Sequence, residues 1–341
     1  LQCEKAEQMG YSTDLCSYAR IDIGTAFDGG KDSPTFGLPK PNLLVSNNNN
    51  CSLLVKWFDV YHREWGVPHF ILDVPFCYEK QNTEDLGYIV SQLKALIKTI
   101  EDLSGQRFDI DKAREAVKLS SEAYKEWRRF LSFASHRPSG ITAFDSFVQM
   151  AAILTSRGTM ELKEHFRLLA DETARQIDSG IFPVPGEKFR LYWDGIAPWH
   201  QLRSMSSKLA EYGANITTAS YTYCIGTTEG ETDLFAFDGK DPFHFLARSQ
   251  NFSVCPYGLA LRGKAMREAV NKNSIDGIVF ASNRSCKVYS LMQLDEMEGI
   301  KKDLDIPCIM VDVDHADVRK YSESNVFLRM EALLEMIESR R

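Results

Sequence analysis

A chain of 341 residues, 44% hydrophobic and 26% charged, is long enough for two domains, or for one large α/β domain with a helical insertion. Its 40 Lys and Arg against 47 Asp and Glu give a net charge of −7, which excludes a general nucleic-acid-binding surface. No apolar run reaches the roughly 18 residues of a membrane span and no signal peptide opens the chain, so the expected location is the cytoplasm.

The opening LQCEKAEQMGYS reads as the middle of a helix, with no Met and no leading strand. This predicts a fragment whose N-terminus is missing. Asn42 to Ser46 is a short apolar run that stops at four asparagines, Asn47 to Asn50. A helix pattern follows from Ser52 to about residue 64, and His69 to Val74 reads as the next buried strand. Strand, helix and strand in about 30 residues predict a βαβ unit. The middle is helical: Ile89, Leu93, Leu96, Ile97 and Ile100 mark one face of a helix that ends near Gly105. A long charged helix runs from Asp109 to about Ala134, and two more cover 142–157 and 159–179. Ser179-Gly180 and Pro183-Val184-Pro185-Gly186 have the composition of an interdomain linker.

Beyond it the alternation returns, with strands expected at 189–194, 215–223, 276–282 and 306–313. Helices are expected near 201–212, 257–272, 289–304 and 322–338. The rhythm predicts an α/β fold with two doubly wound parallel-sheet domains and a helical layer between or beside them. The N-terminal α/β domain, with the helical segment, spans 1–182, and the C-terminal α/β domain spans 183–341.

Parallel sheets bind ligands beyond the carboxyl ends of their strands, so residues that follow strands carry the candidate chemistry. Eight cysteines in a cytoplasmic chain are not expected to be disulfides. Cys51 follows the first strand and Cys286 follows strand 276–282, each just before a helix, while Cys16 lies ahead of both strands. Helix starts favour negative charge and lower thiol pKa values. Cys77, Cys224, Cys255 and Cys308 read as core filling. Three thiolates from separate segments could hold an iron–sulfur cluster with one iron left open. Their spacings of 35 and 235 residues form no compact motif, and on spacing alone buried or redox-inert cysteines are the simpler account.

Gly258 to Ala265 resembles a P-loop but has Ala where Ser or Thr must meet Mg²⁺, and it sits inside a helix pattern. The seven histidines form no ligand pair, and no G-x-S-x-G elbow is present. Asp312, Asp314, His315, Asp317 and Arg319 cluster after the last strand, where capping or interdomain ion pairing is favoured over substrate contact.

At the three cysteines the sequence resembles a known family. The segments are GYSTDLCSYAR at 10–20, SNNNNCSLLVKWF at 46–58 and NRSCK at 283–287, supported by WDGIAPW at 193–199 and DVDHADVR at 312–319. Over essentially all 341 residues the chain is similar to the α-type subunits of 2-hydroxyacyl-CoA dehydratases, in the family that also contains benzoyl-CoA reductase subunits. The resemblance implies a [4Fe–4S] cluster bound by Cys16, Cys51 and Cys286, its fourth iron open to water or to the substrate's thioester carbonyl. It implies a related β-subunit in a heterodimer and a separate ATP-driven iron–sulfur activator, so ATP acts only through that partner. In the implied anaerobic radical mechanism one electron makes a ketyl at the acyl-CoA carbonyl. The ketyl expels the 2-hydroxyl, and the enoxy radical loses a β-proton and returns the electron, leaving 2-enoyl-CoA. The open iron would serve as a Lewis acid in a dry site.

Asn50, Ser285 and Lys287 are candidates for bonds to the cluster sulfides or the thioester, and equally for plain loop and helix-start roles. Arg20 is equally a structural partner for a carboxylate. The family carries an N-terminal strand and loop before the first cysteine that this chain lacks. Asp194, Ala197, Pro198, His315 and Val318 depart from the dehydratase pattern and bear on substrate identity. The expected activity is that of a lyase. The alternatives are an aryl-CoA reductase subunit, or a non-catalytic cluster-carrying partner.

Overall fold

The structure, a computed structural model, describes residues 1–28, 32–33, 35–78, 82–223, 236–250 and 258–341. Cys224 and Cys255 lie outside these. The chain begins with helices α1 (Gln2–Gln8) and α2 (Ser17–Phe27). These cross so closely that a Cβ on Gly24 would stand 2.1 Å from the Gln2 carbonyl oxygen, a position only glycine can fill. Strand β1 (Leu44–Asn47), helix α3 (Ser52–Trp65) and strand β2 (His69–Leu72) follow. The two strands pair in parallel, Leu44 opposite His69, as the βαβ reading requires. The aromatic stripe of α3 closes a small core: Tyr61 stacks on Trp65 at 4.7 Å and donates its hydroxyl to Asp22 of α2 at 2.7 Å.

The middle of the chain is helical, as expected. Helix α4 (Thr83–Ser104) starts at an Asn82 cap and α5 (Ile110–Ser132) at an Asp109 cap. Helix α6 (Ala143–Thr155) opens on a Thr142–Asp145 capping box and α7 (Met160–Asp178) on Thr159. In each, a side-chain oxygen accepts a first-turn amide that has no other partner.

Four strands then form one parallel sheet: β3 (Phe189–Asp194), β4 (Ala214–Ala219), β5 (Gly277–Asn283) and β6 (Cys308–Val313), in the order β4-β3-β5-β6. The helices among and after them are α8 (Leu202–Glu211), α9 (Ser220–Tyr223), α10 (Pro242–Gln250), α11 (Leu259–Lys272), α12 (Lys287–Ser290), α13 (Gln293–Leu304) and α14 (Glu323–Glu338). Alternate residues serve opposite faces. Leu191, Trp193, Val279 and Val311 join the larger core with Trp127, Phe147 and Phe166 of α5–α7 and Met330 and Leu333 of α14. Tyr192, Ile278 and Phe280 join a second core with Met266 and Val270 of α11 and Ile300 of α13. The sheet is therefore covered on both sides, which is why every residue of β3, β4 and β5 is buried.

The fold is α/β with parallel sheets of two and four strands. Two expected elements differ. The strand drawn to residue 223 ends at Ala219, where Ser220–Tyr223 turns into a helix and the Ser220 hydroxyl accepts the Gly195 amide at 3.2 Å. The helix expected at 289–304 is two helices, α12 and α13, because Gln293 turns inward to the end of β3. The P-loop-like segment lies within α11 from Leu259 onward. Among the described residues no helix is long and apolar enough to cross a membrane.

Candidate functional site

Cys16, Cys51 and Cys286 occupy the same local position, each the residue that caps the N-terminus of a helix: α2, α3 and α12. All three are half-buried thiols outside any disulfide. Burial pushes the Cys16 thiol up to about 11, and the Ala19 and Tyr18 amides offset this only in part. Cys286 and Cys51 are close enough that their charge raises it further, which puts the three segments in one electrostatic neighbourhood. The pKa lowering expected of a helix start therefore loses to desolvation at Cys16.

Hydrogen bonds brace the Cys16 and Cys286 segments across 268 residues of sequence. The Ser17 amide donates to the Ser285 hydroxyl at 3.2 Å, and Ser285 donates to Asp314 Oδ2 at 2.6 Å. The other oxygen of Asp314 accepts the Ala316 and Asp317 amides at 3.0 and 2.9 Å. Burial would raise this carboxyl, but the bonds from Ser17, Ser285 and the two amides outweigh it and hold Asp314 below the usual carboxylate range.

His315, from the same loop, reaches Cys16: Nε2 stands 3.4 Å from Sγ, and Nδ1 is 3.2 Å from Asn283 Oδ1. Asn283 spends its amide hydrogens on the Ile196 and Ala281 carbonyls, at 3.2 and 3.3 Å, so its oxygen must accept. His315 Nδ1 then carries the proton, and Nε2 turns its lone pair to the Cys16 thiol. Burial holds the imidazole down at about 4 despite the adjacent Asp314. The Tyr18 ring stands 4.2 Å from that of His315, and Tyr18 OH accepts from the Trp199 indole. Trp199 N in turn donates to the His315 carbonyl at 3.2 Å. Gly195 lets β3 end beside this group, since a Cβ there would meet the Ala281 carbonyl at 2.6 Å.

The asparagine run has a structural use. Asn48 Oδ1 accepts the Val74 amide at 2.8 Å and Asn49 donates to the Pro75 carbonyl at 2.8 Å, so the ends of β1 and β2 are tied together just ahead of Cys51. Of the softer candidates, Ser285 is buried within the bracing network, whereas Asn50 and Lys287 are exposed. Lys287 Nζ donates to the Arg284 carbonyl at 3.2 Å. Arg20 is fully buried between Asp317 (2.9 Å) and Glu7 (2.5 Å) and donates to the Leu15 carbonyl, which is the carboxylate-partner reading. Asp317 also caps the turn at Val318–Lys320. Cys77 and Cys308 are buried, as core filling requires, and so is Cys3, which points at the Ser17 carbonyl at 3.8 Å. Among the described residues no three His, Cys, Asp or Glu side chains converge on a single metal ion. Sequence reasoning missed Tyr18, Trp199 and Asn283 as neighbours of the cysteines. An asparagine ending an otherwise apolar strand was the available signal.

Behind the site, Asp194 at the end of β3 and Glu296 of α13 share one cation, Arg262 of α11, at 3.7 and 2.8 Å. All three are buried. Gln293 donates to Asp194 Oδ2 at 2.9 Å. Burial and the Asp194 charge raise Glu296 to about 8, with Arg262 offsetting only part. A carboxyl that is harder to ionise folded than unfolded stabilises fully below its ordinary 4.5, and the contribution is lost as pH climbs towards about 8. Stability is therefore expected to fall by about 1 kcal/mol per pH unit over much of that window. Glu296→Gln should flatten the slope in urea melts run from pH 5 to 8. Equal slopes in both proteins would refute the assignment of this titration to Glu296.

Comparison with known proteins adds the last observation. A family model described as 2-hydroxyglutaryl-CoA dehydratase, D-component, matches residues 1–337. The chain is 33% identical over 343 residues to the (R)-phenyllactyl-CoA dehydratase alpha subunit of Clostridium sporogenes, covering 99% of this chain and 81% of that protein. It is 32% identical over 342 residues to the (R)-2-hydroxyisocaproyl-CoA dehydratase alpha subunit of Clostridioides difficile, with the same coverage. It is also 30% identical over 346 residues to one of the subunits of the benzoyl-CoA reductase of Thauera aromatica, covering 98% of this chain and 79% of that one.

Proposed function

The chain belongs to the 2-hydroxyglutaryl-CoA dehydratase D-component family, and from that premise we propose that it is the α-type subunit of a dehydratase that removes water from a 2-hydroxyacyl-CoA to give the 2-enoyl-CoA. The observation that carries this reading is the meeting of the Cys16 and Cys286 segments through Ser17, Ser285 and Asp314, in a chain that aligns over 99% of its length with two dehydratase alpha subunits. The donor set fits an iron–sulfur cluster: three half-buried thiols at helix starts, in one electrostatic neighbourhood. Cys16, Cys51 and Cys286 would hold a [4Fe–4S] cluster, which when bound supplies a low-potential electron centre and a Lewis-acidic iron for the thioester carbonyl.

The chain's own residues do the rest. Ser17, Ser285 and Asp314 hold two ligand segments in register. His315 Nε2 accepts the Cys16 thiol hydrogen in the metal-free protein, and Tyr18, Trp199 and His315 wall off water. Asn50 and Lys287 adjoin Cys51 and Cys286 at the surface, and we assign them to thioester or partner contact. The chain works beside a related β-subunit in the cytoplasm, and a separate ATP-dependent iron–sulfur activator delivers the electron. The order β4-β3-β5-β6, with helices on both faces, supports reading the larger sheet as doubly wound, its site at the point where strand order reverses.

The identity to a benzoyl-CoA reductase chain favours a second reading, reduction of an aryl-CoA. Anaerobic turnover of the complex with activator separates the two. A dehydratase forms many 2-enoyl-CoA molecules per ATP hydrolysed, because the electron is recycled. ATP consumption in step with reduced aryl-CoA, with no product from any 2-hydroxyacyl-CoA, would overturn the dehydratase reading.

A further inference from the structure

A second concavity lies apart from the cysteines. It is a cavity of about 400 Å³ between the end of β6 and the start of α14. Its lining carries one acid, Asp312, and three bases, Arg319, Lys320 and Arg329. Asp312 is taken by Arg284, and Arg319 is taken by Asp317 and Glu7. The other two bases have no carboxylate partner among the described residues. Lys320 donates to the Thr13 carbonyl at 2.6 Å and Arg329 to the Met310 carbonyl at 3.3 Å. Two uncompensated cations thus face one cavity in a protein of net charge −7. The wall they share with α14 adds further donors. The Ser322 side chain starts this 16-residue helix without accepting a first-turn amide, its hydroxyl lying 3.3 Å from that of Ser324. The first backbone bond runs from Val326 N to the Ser322 carbonyl, so the amides of Ser324 and Asn325 keep free hydrogens at the positive end of the helix. Ser322 and Asn325 themselves line the cavity.

Cations, hydroxyl and amide donors around a cavity larger than a single ion suit a phosphorylated ligand. The cavity is also joined to the candidate site. Lys320 holds the Thr13 carbonyl in the loop leading to Cys16, and Arg319 meets Arg20, four residues beyond Cys16, at the shared carboxylates of Asp317 and Glu7. We propose that this cavity is the subsite for the phosphate-bearing adenosine end of the coenzyme A thioester, with Lys320 and Arg329 contacting its phosphates. This rests on the dehydratase reading and deepens it: the acyl end goes to the cysteines, and the nucleotide end is held on the other side of the Asp314–Tyr321 loop. Lys320 and Arg329 are then affinity-determining residues with no part in the chemistry.

The test is equilibrium binding of adenosine 3′,5′-bisphosphate and of inorganic phosphate to the full chain in complex with its partner, alongside Lys320→Gln, Arg329→Gln and Arg329→Lys. The expected result is that the bisphosphate binds and that each Gln variant weakens it about tenfold, the loss of one charged contact. Arg329→Lys should retain part of the affinity. Melting temperature and iron content, read on the same samples, report the fold and the cysteine site separately. Variants that bind the bisphosphate as tightly as the parent would overturn the proposal, as would a parent that does not bind it. Phosphate binding as tight as the bisphosphate would assign the cavity to free phosphate instead. A chain that holds iron and dehydrates its thioester while failing these tests loses only the subsite. A chain without iron or turnover loses the dehydratase reading, whatever the cavity binds.

Discussion

Cys286→Ala is expected to cost the protein its iron and, with it, at least about a hundredfold in dehydration rate. The loss should exceed the 10–100-fold typical of residues that only support a metal ligand. Cys286 starts α12 directly after the loop braced to Ser17 and Asp314, and its charge is felt at Cys16. Removing one of three protein ligands leaves two, and the relief of one like charge at Cys16, whose thiol sits at about 11 mainly through burial, does not replace the missing ligand. Anaerobic iron and sulfide analysis after reconstitution is the direct measurement, with about four irons expected for the parent. Cys308→Ala is the control. Cys308 is buried in the second core, away from the other thiols, so its loss should cost about 1 kcal/mol of stability and no iron. If Cys286→Ala keeps the parent's iron and rate, the three-cysteine site is wrong.

The largest effect on stability is expected at Arg190, the second residue of β3. Its guanidinium is buried and fully engaged. It donates to the Asn273 carbonyl at 3.0 Å and the His136 carbonyl at 2.8 Å, and it also bonds the Ala134 carbonyl and Glu187. Glu187 is buried with it and takes the Ser139 amide and the Asn215 side chain at 3.1 and 2.9 Å. Arg190→Met fills the space but strands a buried carboxylate and three carbonyls. Breaking such a pair from one side costs roughly 3–5 kcal/mol. Adding Glu187→Gln to Arg190→Met should recover much of the loss, because the stranded charge goes with it. Urea melts of the single and double variants measure this. A cost below about 1 kcal/mol for Arg190→Met would show that the pair is not the clamp its geometry implies.

Much of the architecture was legible because short-range physics wrote it. The period-3.6 stripe of α4, the Asp109, Thr142 and Thr159 caps and the strand at 189–194 all depend on neighbours a few residues apart. The position of the cysteines at helix starts was legible for the same reason. What the pattern could not carry was long-range pairing. Nothing local says that His315 meets a thiol 299 residues earlier, or that Ser285 is the acceptor for the Ser17 amide. Thr217 and Thr218 have strand propensity that masks the turn after Ala219, where Ser220 takes the amide of Gly195 just beyond the end of the neighbouring strand. The buried Arg190, Asp194 and Asn283 were visible as polar residues in apolar strands, a signal of engagement without an address.

The larger core has an order in time as well as in space. Trp127, Phe147 and Phe166 leave the ribosome on α5–α7 well before the strands they pack against, and the core is completed only by Met330, Leu333 and Ile337 of the last helix. At roughly 5–20 residues per second, the interval between Trp127 and Ile337 is about ten to forty seconds. Over that interval α5–α7 cover one another only in part, Trp127 against Phe166, and the rest of the apolar face waits for the strands and α14. A chain that stops short of α14 would leave exposed the part of this core that Met330, Leu333 and Ile337 cover.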